Sequence, residues 1–341
     1  MIIGIISIII FLSILIFVHE LGHFWAAKKF GLLVEEFGFG LPPKIWGKKI
    51  GETTYTINAL PFGGFVKILG EDGEDQKAKE NIGRSFGGLK IWKRTIIISA
   101  GVIMNFLLGW ILVSLVLSIG APKAILINEV LPNSPASGAG LIKGDKILNF
   151  ENINAFVAHI EQNKGKEIVL KIERGGEEKN LTVVPRINPA EGQGALGIGL
   201  AETGFEKKNI FLSLWEGLKT SLEMVFLIFK AIFVLIGNAF SGKASLQDIA
   251  GPVGIVKVAN QAGGLGIIYL IQLLALISLN LAVVNALPFP ALDGGRLLFL
   301  LLEKIKGSPL PQKFERYANG LGMALLLFLM IVITIKDIAS F

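Results

Sequence analysis

Seventeen consecutive residues without a charge, 2–18, run directly into His19-Glu20-Leu21-Gly22-His23. An apolar run of about 20 residues is what a helix needs to cross a bilayer. Ionisable side chains inside such a run are costly unless they have partners, so they mark function. On a helix, residues four apart share a face. His19 and His23 are thereby placed to hold one metal ion, with Glu20 beside it to take a proton from water. The chain has three histidines, and two of them are in this motif.

Composition identifies the solvent. The 341 residues are 52% hydrophobic, with a mean hydropathy of +0.62, which calls for several spans rather than one anchor. Cysteine is absent. Disulfides and thiolate ligands are therefore excluded, and a zinc site must draw on His and carboxylates. The net charge of +6 reads as lysines and arginines on the cytoplasmic face. No basic run is interleaved with aromatics, so nucleic acid is not expected as a partner.

Four spans are expected. The first, 2–27, has no Lys or Arg before it and no small-residue cleavage site after it, so it reads as a span rather than a removed signal. The loop 28–94 carries twelve Lys/Arg against eight Asp/Glu, whereas 121–209 carries eleven of each. This imbalance places the first loop in the cytoplasm, and the second loop and the N-terminus outside. The second span, 95–119, contains Asn105, read as a hydrogen-bonding contact between helices. The stretch 210–237 is long and apolar enough to cross. However, Glu216, Lys219, Glu223 and Lys230 share one helix face, the pattern of an amphipathic helix lying in the interface. A crossing there would also put the next motif at the wrong membrane face.

The third span, about 266–302, holds Asn285-Ala286-Leu287-Pro288-Phe289-Pro290-Ala291-Leu292-Asp293-Gly294-Gly295. Its two prolines and two glycines should break the helix. Asp293 is a carboxylate within an apolar stretch and suits the third ligand position; the structural alternative is a helix-end Asp paired with Arg296. The fourth span, 318–335, returns the C-terminus outside.

In the first loop, Phe37-Gly38-Phe39-Gly40-Leu41-Pro42 and 55–69 are rich in glycine and aromatics. The β-prone runs 55–57 and 65–68 flank Pro61 and Gly63-Gly64, which predicts a β-hairpin dipping toward the membrane. Phe65, Val66, Lys67 and Ile68 are candidates for holding an extended substrate by strand addition, and Asn285 for bonding one further substrate amide.

Residues 121–187 read as a small α/β unit with strands at 124–130, 146–150, 167–173 and 179–184 and a helix at 155–163. His159, on that helix, reads as a surface histidine. Residues 188–209 read as linker. Two runs, Pro132-Asn133-Ser134-Pro135-Ala136 and Ala139-Gly140-Leu141-Ile142-Lys143-Gly144-Asp145-Lys146-Ile147-Leu148, resemble the PDZ signature of bacterial membrane proteases. PDZ domains bind extended peptides at a sheet edge. The expected organisation is an N-terminal membrane core (1–120), a PDZ domain (121–187), a linker with an interfacial helix (188–264) and a C-terminal membrane core (265–341).

H-E-x-x-H in the first span, a PDZ-like unit after the second and N-x-x-P-x-x-x-L-D-G-G in the third follow in one order. Over nearly its whole length the chain resembles the site-2 protease family of intramembrane zinc metalloproteases, closest to its bacterial RseP type. The resemblance implies a mainly α membrane protein with four transmembrane helices, a membrane-associated β-hairpin loop and one inserted extracytoplasmic PDZ domain. It implies the cytoplasmic membrane of a bacterium, with the active site toward the cytoplasm. His19, His23 and Asp293 are then the ligands of one Zn2+, Glu20 activates water, and Asn285 helps hold the substrate. Gly251-Pro252 begins a segment similar to one that recurs in the family. The expected partners are single-span transmembrane substrates, peptide segments at the PDZ domain and membrane lipid. RseP carries two PDZ domains, whereas this chain has room for one. Two other classes are a metal transporter or metal-binding membrane protein and a catalytically silent PDZ scaffold; the intact Glu20 speaks against both.

Overall fold

The structure is a computed structural model and describes residues 2–71, 76–189, 193–242 and 249–339. It divides into two compact units, Met1–Ser114 with Leu214–Phe341, and Leu115–Ser213. The chain begins with α1 (Ile2–Lys29), β1 (Val34–Ile50), β2 (Thr53–Ile68), the short α2 (Gln76–Glu80) and α3 (Ile91–Ile119). The second unit adds β3 (Ala121–Val130), α4 (Pro135–Gly138), β4 (Lys146–Ile147), α5 (Ile153–Gln162), β5 (Ile168–Arg174), β6 (Glu177–Val183) and β7 (Ile198–Phe205). The chain then returns to the first unit with α6 (Ile210–Phe240), α7 (Pro252–Leu265), α8 (Ile267–Ala286), α9 (Asp293–Lys306) and α10 (Gln312–Ala339).

Among the described residues, five helices are long and apolar enough to cross a membrane: Gly4–Lys29, Ile91–Ile119, Ile210–Ala239, Ile267–Ala286 and Gln312–Ala339. The protein is a mainly helical, multi-pass membrane protein with added β-sheet. The third of the five contains the stretch whose charge pattern reads as interfacial. The expected break in the 266–302 span is real: α8 stops at Ala286 and α9 starts at Asp293.

The region read as a hairpin over 55–69 is built differently. The tight turn is at Gly51-Glu52, where Ile50 faces Thr53 and Gly51 takes φ +63°. Residues 34–39 are flanked on both sides. Phe37 faces Tyr55 across one side and Val66 across the other. Pro61, Gly63 and Gly64 therefore do not close a hairpin between 55–57 and 65–68; the chain there passes from one side of 34–39 to the other. Val34 and Ile68 are buried with Ala27, Leu32, Phe86, Ile97, Ile98 and Leu300, so one core joins the sheet to the ends of α1, α3 and α9.

The second unit is a five-stranded sheet in the order β6-β5-β4-β3-β7. Its core includes Ile125, Ile127, Ile147, Phe156, Leu170 and Ile172. Buried Asp145 accepts from Arg174 Nε at 2.7 Å and from the Ile142 amide at 2.9 Å, which fixes the turn before β4. Residues 198–205, read as linker, are its fifth strand. Leu126 faces Ala201 and Ile127 faces Leu200. The glycines at 197, 199 and 204 hide the strand from a reading by composition.

Candidate active site

α1 ends in a Schellman-type cap: Gly31 at φ +78° donates to the Lys28 carbonyl, and Leu32 donates to that of Ala27. The last turns before this cap carry His19, Glu20 and His23. α3 packs against them at backbone distance. A Cβ on Gly22 would meet the Ala100 carbonyl, with its carbon at 2.7 Å. A Cβ on Gly101 would meet His23 Nε2, and would lie 2.7 Å from both His19 Cε1 and His23 Cε1. Glycine at 101 is what lets α3 back the imidazole pair.

Asp293 is the first residue of α9. The chain reaches it through Ala291, held at φ +77°, a conformation that side chains other than glycine rarely adopt. The turn is so tight that a Cβ on Gly294 would strike the Leu287 carbonyl and one on Gly295 that of Phe289. The D-G-G sequence thus satisfies a steric demand. It leaves Asp293 Oδ2 3.1 Å from His19 Nε2 and 3.4 Å from His23 Nε2. The two Nε2 atoms are 3.2 Å apart.

This geometry fits a metal ion. The ligand atoms of His19, His23 and Asp293 lie within 4.8 Å of one another. Asp293 Oδ2 is buried and has no hydrogen-bond partner. Lone pairs aimed at one another from a buried carboxylate and two imidazoles call for a cation between them. The outer ring atoms support this. His23 Nδ1 is 2.9 Å from the Ile97 carbonyl, to which only an N–H can donate, so its Nε2 keeps the lone pair. His19 Nδ1 is 3.3 Å from the carboxamide of Asn105, a residue only 1% exposed whose Oδ1 is buried without a partner. With the amide turned over, Oδ1 accepts from His19 Nδ1–H; the orphan oxygen is satisfied and His19 Nε2 is freed for a metal. The Asn105 carbonyl in turn accepts from Ser278 Oγ of α8 at 2.7 Å.

A cavity of about 370 Å³ opens on this cluster. Phe65, Val66, Lys67 and Ile68 all line it, together with Glu20, Glu71 and Arg296. Successive strand residues point to opposite faces. Four in a row can share one cavity only if the strand's backbone edge faces it. The other edge of 65–68 is paired with 34–38. Gly64 lies beside Glu20, its added Cβ 3.3 Å from Glu20 Cγ. Asn285, on the last turn of α8, is not among the described residues lining this cavity. Arg296 is ion-paired with Glu71.

Sequence reasoning missed two features here. Gly101 carries no sequence signal. Glu71 lies just beyond the β-prone run. Asn105 was visible as a polar residue in an apolar span, and its neighbour proves to be a candidate ligand.

Two histidines and a glutamate on one apolar helix, met by a carboxylate from a second helix, form the donor set expected of a membrane-protein zinc metalloprotease. Comparison with known proteins gives the same class. The model of peptidase family M50 matches residues 7–329. A Clostridium perfringens protein with a zinc-metalloprotease name is 37% identical over 333 residues, covering 96% of each chain. The zinc metalloprotease RasP of Geobacillus kaustophilus is 30% identical over 99% of this chain and 98% of its own length. The regulator of sigma-W protease RasP of Bacillus subtilis is 31% identical over 98% of each. The chain belongs to peptidase family M50, the site-2 protease family, and zinc is its expected cofactor.

Proposed function

We propose that the protein cleaves the transmembrane segments of single-span membrane proteins, inside or at the edge of the bilayer. The observation that carries this reading is that the edge of 65–68 away from 34–38 lies on the same cavity as Glu20 and the three candidate ligands. A transmembrane helix hides its carbonyls in internal hydrogen bonds. A substrate must unwind before attack, and its freed backbone groups need partners where water is scarce; an edge strand supplies them. Glu20 takes the proton from the attacking water and passes it to the departing amide nitrogen. His19, His23 and Asp293 would hold zinc, which when bound would supply Lewis acidity to the scissile carbonyl and the water. Asn285 bonds a substrate amide once the segment is seated.

The chain is placed in a bacterial cytoplasmic membrane with four crossings, the 121–209 region outside and the zinc site toward the cytoplasm. Contacts at the start of α6 and at the start of α7 support this reading. The start of α6 is tied to α3 near that helix's end, where Trp110 Nε1 donates to the Leu214 carbonyl at 2.9 Å. At the start of α7, Asp337 near the end of α10 accepts from the Gly251 and Gly254 amides at 2.9 and 2.8 Å. Asn260 of α7 accepts from Gly4 at the start of α1, at 3.1 Å. These anchors belong to outer helix ends. Labelling single cysteines placed at 60 and 241 tests the topology; cytoplasmic labelling of both would refute the four-span arrangement. The second unit is read as a single PDZ domain that takes up peptide segments.

The decisive experiment uses purified protein and a labelled single-span substrate. Glu20→Gln should retain zinc and lose cleavage, whereas His23→Ala and Asp293→Ala should lose both. Full activity in Glu20→Gln would sink the assignment.

A further inference from the structure

Glu71 and Arg296 face two cavities. They line the one that holds the histidines, and they also line a second of about 450 Å³ bounded by the ends of β2, α3 and α9 and the start of α10. The second cavity is charged, with Arg94, Glu303, Glu315 and Arg316 also on its wall. Arg94 and Glu303 are bonded to each other at 2.7 Å. Glu71 and Arg296 form an ion pair at the junction of the two cavities.

Hydrolysis makes a demand that substrate binding does not. Water adds across the peptide C–N bond: hydroxyl goes to the carbonyl carbon, and hydrogen goes to nitrogen as the bond breaks. At neutral pH one neutral amide and one water become a carboxylate and an ammonium. Two opposite charges appear together in an enclosed site, where unpaired charge is expensive. We propose that Glu71 and Arg296 receive these new termini, Arg296 the carboxylate and Glu71 the ammonium, and that the second cavity is the exit for the released fragment. This rests on hydrolysis taking place at the histidine pair. The pair is selective for product. An intact substrate offers only a neutral amide, which does not repay separating Glu71 from Arg296. The product offers a counter-charge to each, so one ion pair is exchanged for two and the junction opens.

The test uses full-length protein in detergent and dye-labelled peptides matching the two fragments of a cleaved single-span substrate. Each peptide is made with its natural new end and with that end neutralised, as carboxamide or acetyl. Binding is read by fluorescence anisotropy with zinc loaded and with zinc removed by chelator, so that the metal's own affinity for carboxylate is separated. The zinc-free wild type should prefer carboxylate over carboxamide, and amine over acetyl, by about tenfold each. Arg296→Gln should abolish the first preference and Arg296→Lys should keep most of it. Glu71→Gln should abolish the second preference and keep the first. No preference in the wild type, or preferences that survive both neutral variants, would overturn the proposal. Should Arg296→Gln fail to fold, the Glu71→Gln arm decides the question from the other terminus. Wild-type protein that cleaves while these preferences stay unmoved refutes the exit alone; wild-type protein that does not cleave refutes the hydrolytic reading beneath it.

Discussion

Gly101→Ala sets two physical effects against each other. In a helix interior alanine is favoured over glycine by about 1 kcal/mol, so propensity alone predicts a more stable α3. The site predicts damage. An added Cβ would lie 2.7 Å from His19 Cε1 and from His23 Cε1, where ordinary contact begins at 3.4 Å, so each ring must retreat 0.7 Å. Moving α3 away instead would open the close backbone packing of Gly22 on Ala100, so part of the strain falls on the rings. Metal sites hold their ligand distances to about 0.2 Å. Displacing a ligand by several times that tolerance should weaken zinc by roughly 10- to 100-fold, and a misplacement near 1 Å costs about 100-fold in rate. Zinc affinity is measured by chelator competition, and cleavage on the labelled substrate; thermal unfolding of the zinc-free protein reports the helix itself. The expected pattern is an unfolding temperature unchanged or raised, with affinity and rate both lowered. Gly237→Ala on α6, where a Cβ meets nothing within 4 Å, is the control and should leave zinc and rate alone. Zinc affinity within twofold of the wild type in Gly101→Ala would show that α3 does not set the histidine positions.

Three further outcomes are expected. Asn105→Leu removes the acceptor for His19 Nδ1–H and should lower zinc affinity by about 10- to 100-fold, read by the same competition, while Asn105→Asp retains an acceptor and should lose less. Val66→Pro takes a backbone donor out of the cavity-side strand and should abolish most cleavage at unchanged zinc content; a folded Val66→Pro protein that cuts normally would remove 65–68 from substrate binding. At the Gly51-Glu52 turn, hydrogen bonds from Arg84 and then Lys28 pull the Glu52 carboxyl down to about 2. Because its folded value is depressed, its contribution is present above the ordinary glutamate range and is lost as pH falls from about 4.5 through about 2. The melting difference between wild type and Glu52→Gln should therefore shrink over that window and stay flat near neutrality; it should also be small, since the cluster is exposed.

What the sequence made legible was local. H-E-x-x-H needs only the 3.6-residue period to bring two imidazoles together, and the prolines and glycines around Asp293 announce a broken helix wherever it sits. The sheet was harder. Pro61 and Gly63-Gly64 are stronger turn signals than Gly51-Glu52, yet the fold turns at Gly51-Glu52, because 34–39 takes the place between 53–57 and 64–68 and separates them. That choice depends on residues about thirty positions apart, which no local pattern reports. β7 was hidden for a related reason: its glycines weaken the strand signal, and its pairing with β3 spans some eighty residues. Gly101 and Glu71 owe their importance wholly to what lies opposite them.

The candidate ligands come from distant parts of the chain, His23 on the first helix and Asp293 270 positions later. Synthesis proceeds from the N-terminus at about 5–20 residues per second, so roughly 15 to 50 s pass between the two. Throughout that interval the nascent protein has Glu20 and two imidazoles but lacks the carboxylate that the proposed metal site needs. On that assignment the site can form only after residue 293 has been made. The enzyme matures beside other proteins entering the same membrane, and a copy short of Asp293 would lack one of the three proposed ligands while it does so.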